Sequence, residues 1–110
     1  MGYKNFRAAM TTGGATAYTC PPDTVARVSF LQVASVDASN AADATVHWTD
    51  DSAGDAVTRL CYQTEVAASD AISVMAGGLI LEAGDTIVGT ASADGDLELS
   101  GSVVETAVTP

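Results

Sequence analysis

Basic side chains are scarce. Lys4, Arg7, Arg27 and Arg59 stand against fourteen acidic residues, for a formal net charge of −10 and an isoelectric point near 4.1. Cations so few and so scattered cannot follow a phosphate backbone, which argues against direct binding to DNA or RNA. Histidine occurs once, as His47, and cysteine twice, as Cys20 and Cys61. A lone histidine without an identifiable nucleophile or acid partner does not make a catalytic set, and the cysteines have neither metal-ligand spacing nor a CxxC pairing. Aromatic residues make up 5% of the chain, with two Phe and one Trp, so the apolar content sits in Ala and Val. That composition favours thin, closely packed layers over a deep aromatic pocket. No apolar run approaches the roughly 18 residues of a membrane-spanning helix. The opening MGYKNFRAAMTTGG lacks the apolar stretch of a signal peptide, so neither a membrane partner nor classical secretion is expected.

What remains is enough for one domain. A chain of 110 residues buries roughly 65% of its unfolded surface, sufficient for a modest core without a disulfide framework. For Cys20 and Cys61 a single disulfide is one arrangement, and two small buried thiols are the simpler one. Period-two patterning dominates. Residues 1–14 read as an N-terminal arm or edge strand, and residues 15–110 as a single β-sandwich domain. A short strand at 15–20 stops at Pro21-Pro22, which cannot continue a ladder. The strongest signal is TVARVSFLQVASV at 24–36, where Val28, Phe30, Gln32 and Ala34 alternate with Arg27, Ser29, Leu31, Val33 and Ser35. ATVHWTD at 44–50 sets His47 opposite Val46 and Trp48, and AVTRLCYQTEVA at 56–67 gives a further strand whose inward face the pattern leaves ambiguous. A short strand follows at 71–75, then Gly77-Gly78 as a tight turn, and LILEAGDTI at 79–87 gives an apolar step and a Glu-Ala-Gly-Asp turn. Two last strands at 87–93 and 97–107 are joined by Asp94-Gly95-Asp96, a short-hairpin signal. No segment carries a sustained helical stripe. The expected fold is therefore all-β, an antiparallel sandwich of jelly-roll-like or immunoglobulin-like type.

Few residues invite chemistry. Asp50, Asp51 and Asp55 form one oxygen-rich cluster and Asp94 with Asp96 another, but neither has the spacing of a calcium loop, and solvated turns explain both. The paired glycines lack the Lys-Ser/Thr of a phosphate loop. No catalytic residue, cofactor or metal is therefore assigned. Tyr3, Phe6, Arg7 and Tyr18 are the candidates for a protein interface, with packing inside their own domain as the competing use.

The order of a CPP turn in TAYTCPPDTVARVSFLQVASVD, a Trp-bearing strand ATVHWTD, the strand TRLCYQTEV and the LEAGD turn of GGLILEAGDTIVGTASADGDLELSGSVVE resembles small all-β structural proteins of tailed bacteriophages. The similarity covers most of residues 16–106. It implies a non-enzymatic virion protein, foremost a capsid decoration or cement protein stabilising contacts between shell subunits. The alternative is a neck, tail or fibre-associated protein that attaches to another virion component or a host surface. Phage capsid or neck and tail proteins would be its partners, and a homo-oligomer, a trimer at a three-fold junction for example, its working state.

Overall fold

The computed structural model describes residues 2–75 and 78–108. Nine strands form among them: β1 (Gly2–Ala9), β2 (Ala15–Thr19), β3 (Thr24–Ser35), β4 (Ala42–Asp50), β5 (Ala56–Val66), β6 (Ala71–Ser73), β7 (Leu79–Leu81), β8 (Thr86–Ala91) and β9 (Leu97–Ala107). One sheet has the order β1-β9-β3-β6, with β7 pairing β3 further along from β6, and the other has the order β2-β8-β4-β5. Every strand pairing is antiparallel. An all-β antiparallel sandwich is thus the observed fold.

The connectivity chooses between the two expected subtypes. If β6 and β7 are counted as one interrupted strand, the first strand pairs with the last, the second with the next to last, the third with β6 and β7, and β4 with β5. A ribbon of paired strands rolled so that β3 also meets β9 and β4 also meets β8 is a jelly roll. The immunoglobulin-like order does not describe it.

Alternation decides which side chains enter the core. From the five-stranded sheet come Phe6, Ala26, Val28, Leu31, Val33, Leu81, Leu97, Leu99 and Val103, and from the other sheet Tyr18, Ala42, Ala44, Val46, Ile87 and Ala91, all buried. Met10, on the crossing from β1 to β2, has no exposed surface and fills the layer between the sheets. Trp48 packs on the rim of this core, on the face of Val46 and opposite His47, as the spacing implies.

Two expectations need correction. Strict alternation put Phe30 on the face of Val28, but the β3–β9 register slips between Val28 and Phe30. The bulge leaves Ser29 and Phe30 both outside, so Leu31 and Val33 take over the inward phase. Asp94-Gly95-Asp96 does not close a hairpin either. β8 and β9 belong to different sheets, so this turn carries the chain across the roughly 10 Å between layers. Its left-handed Gly95 (φ 83°) and the acceptance of the Thr12 N–H by Asp94 Oδ1 at 2.8 Å fix the crossing. The β4–β5 connection is a true hairpin: Asp50 caps a 3₁₀ turn at Asp51–Ala53, and Gly54 closes it in the left-handed region. Of the Gly77-Gly78 turn, Gly77 lies outside the described residues.

Candidate interaction surface

The four residues singled out from sequence separate in the structure. Tyr3 is 83% exposed and Arg7 lies on the surface, whereas Phe6 and Tyr18 are buried, with 8% and 6% exposure. The Phe6 and Tyr18 rings, from the edge strands of opposite sheets, meet at 5.2 Å between centroids and 33° between planes. They close one side of the sandwich and leave little of either ring on the surface. The Tyr18 hydroxyl donates to Glu105 Oε2 at 2.5 Å, and Lys4 Nζ lies 3.5 Å from the same oxygen. Burial, reinforced by the Glu105 carboxylate, pushes the Tyr18 phenol well above its usual range. This edge is a structural latch of aromatic packing and one charge-assisted hydrogen bond.

Neither thiol is set up for chemistry. Cys20 is buried and Cys61 half-buried, and both are free. Burial raises both pKa values, with the Asp85 and Glu105 charges adding to the effect at Cys20, so the reactive thiolate is disfavoured. His47 stands beside Arg59 across the β4–β5 pair. Partial burial, then the Arg59 charge, lowers its pKa. Among the described residues no group of three or more His, Cys, Asp or Glu is arranged to hold a metal ion.

The acidic turns perform structural work. Asp50 Oδ1 accepts from the Ser52 N–H at 3.2 Å and from its hydroxyl at 2.7 Å. Asp85, 2% exposed, accepts from the Asp51 and Glu82 backbone N–H groups, both at 2.8 Å. The same segment ties down the CPP turn, because the Cys20 N–H donates to the Asp85 carbonyl and the Gly84 N–H to the Cys20 carbonyl. Gly84, at φ 89°, lies against the Asp51 carboxyl, where a side chain would collide with it. Asp85 is therefore the knot of this end of the molecule, a role that the LEAGD string alone does not distinguish from that of an ordinary turn residue.

The outer face of the five-stranded sheet is the surface with the most to offer a partner. Register aligns Tyr3, Val104, Arg27 and Ile80 in one row across four strands. A second row holds Asn5, Ser102 and Phe30, and a third Arg7, Ser100, Gln32 and Ser73. Ile80 and Phe30 are 54% and 45% exposed. Two shallow hollows of about 440 and 550 Å³ adjoin here, sharing Arg7 and Ser100 as their common wall. No sequence window contains these rows. Their members come from strands far apart in the chain, and only the sheet order brings them together.

The outer face of the other sheet differs. Thr45, Thr49, Thr86 and Thr90 line it, with Thr49 and Thr86 hydroxyls 2.6 Å apart, and Arg59 sits 5.3 Å from the centre of the Tyr62 ring at its β5 edge.

No protein-family model and no curated protein matches this sequence. Among solved structures, a crystal structure of a pentameric capsid protein isolated from metagenomic phage sequences matches with a TM-score of 0.50 at 20% identity, covering 96% of this chain and 61% of that one. The likeness is one of fold, and this chain spans less than two thirds of that protein's length.

Proposed function

We propose that the protein is a non-enzymatic structural component of a phage virion, acting as a capsid decoration or cement protein between shell subunits. The observation that carries the reading is the likeness of fold, over 96% of this chain, to a pentameric phage capsid protein. Thiols held in their protonated form and a histidine on a strand face beside an arginine fit a mechanical role. The mechanism is linkage: a protein that binds the assembled lattice and not its dissociated subunits stabilises the lattice in proportion to its own occupancy. It works as a cyclic homo-oligomer, and a three-fold junction and the five-fold symmetry named for the similar capsid protein are both compatible closures. Cryo-electron microscopy of the particle carrying this chain tests the reading. Many copies bridging shell subunits are the expected result, with particles stripped of the protein losing their contents at lower temperature. A few copies in a ring at the neck, or attached along a tail or fibre, would replace this assignment with an accessory role there.

A further inference from the structure

Charge on this molecule is segregated. All four basic side chains lie within strands, whereas most of the fourteen acids lie in the loops at the two ends. At one end Asp37, Asp70 and Asp94 direct carboxylate oxygens to backbone N–H groups of their own chain. At the opposite end, beside the Asp85 knot, the exposed Asp23, Asp55 and Glu82 carboxylates have no hydrogen-bond partner among the described residues. Arg7 and Arg27 are exposed on the outer face of the five-stranded sheet. Among the described residues neither makes an ion pair, although Glu98 shares their face. A chain of net charge −10 thus keeps two arginines with no carboxylate at ion-pair distance among the described residues, next to the apolar Tyr3, Phe30 and Ile80.

We infer that this face is the docking surface for a second copy of the chain, whose free acidic end, Asp23, Asp55 and Glu82, seats against Arg7 and Arg27. The inference rests on the homo-oligomer proposed above and assigns its contact. Complementary charge disfavours end against end, which sets acid on acid, and face against face, which sets arginine on arginine. Of the two acidic ends, the other already turns carboxylates of Asp37, Asp70 and Asp94 to its own backbone N–H groups. The exposed Tyr3, Phe30 and Ile80 supply the apolar contact, with the arginines fixing orientation. An end-on-face contact is heterologous, so each copy keeps one free face and one free end until a ring closes.

The test is the mass of the oligomer by native mass spectrometry and sedimentation, at low and high salt. Wild type is expected to associate, and more weakly as salt rises. The face variant Arg7→Glu/Arg27→Glu and the end variant Asp23→Lys/Asp55→Lys/Glu82→Lys are each expected to be monomeric with unchanged far-ultraviolet circular dichroism. One chain carrying both sets of substitutions has its charges complementary again and is expected to reassociate, while Arg59→Glu on the other sheet leaves the oligomer intact. A wild-type chain that stays monomeric overturns the oligomer reading itself. An oligomer that survives the face variant, or that the combined variant fails to restore, overturns this contact alone.

Discussion

Gly101 shows how little room the centre of the five-stranded sheet has. It faces inward from β9, opposite both Phe6 and Leu31, and a side-chain carbon there would lie on the Phe6 ring and within 2.6 Å of the Phe30 carbonyl oxygen. The ring can turn aside, but the carbonyl belongs to the β3 bulge and cannot. Gly101→Ala is expected to cost about 1–3 kcal/mol of stability by overpacking, read by urea denaturation, and Phe6→Ala placed beside it should not restore the loss. Asp85→Ala leaves two backbone donors at the buried end without their acceptor. A loss of about 2–4 kcal/mol is expected, with faster amide exchange at Asp51 and Glu82 as the local signature. His47 and Asp37 both contribute to the acid limb of stability. His47 has a folded-state pKa below its ordinary 6.5. The unfolded chain therefore binds the proton more readily, and stability falls as pH drops from just above 6.5 through the lowered folded value. Asp37, held low mainly by the Ser39 and Asn40 N–H groups, contributes stability that is present above its ordinary 3.8 and lost as pH falls through its lower folded value. Denaturation midpoints between pH 7.5 and 5 should therefore decline in wild type, and His47→Gln should flatten that step while leaving the more acidic one.

At the scale of elements, the strands were legible because alternation of Val, Thr and Leu with polar residues has no helical counterpart in this chain. β3, β4, β5 and β9 stand within two residues of the ranges read from sequence. The bulges were not legible. A bulge depends on the partner strand's register, and β5 slips twice against β4, around Val46, which is why the inward face of AVTRLCYQTEVA could not be read. The same limit governs the turns: Asp-Gly between two strand patterns marks a reversal, but whether the chain returns in its own sheet or crosses to the other depends on partners elsewhere. Phe6 and Tyr18 were visible as aromatic anchors, yet their burial required knowing that the edges of opposite sheets meet. β1 therefore belongs to the fold's closure. Phe6→Ala is expected to cost about 3–5 kcal/mol, measured by thermal or chemical denaturation of the isolated protein, whereas Tyr3→Ala should leave its stability nearly unchanged.

At the scale of the whole molecule, net charge was readable from composition, but its distribution was not. Acids at both ends of a body measuring 51 × 27 × 21 Å repel across each loop cluster, and salt shortens the range of that repulsion from about 30 Å at 0.01 M to about 8 Å at 0.15 M. The melting temperature of a monomeric face variant should therefore rise by a few degrees between those salt concentrations, a change that differential scanning calorimetry resolves. The pairing of first strand with last also has a consequence in time. β1 is made before the other eight strands, but its ladder partner spans Glu98 to Glu105, so Gly2–Ala9 must wait until β9 has been made before it can bond. The jelly roll cannot assemble strand by strand as it is made. Its nascent forms display Val- and Leu-rich edges with no neighbour, and only when β9 is free of the ribosome can the ribbon roll shut.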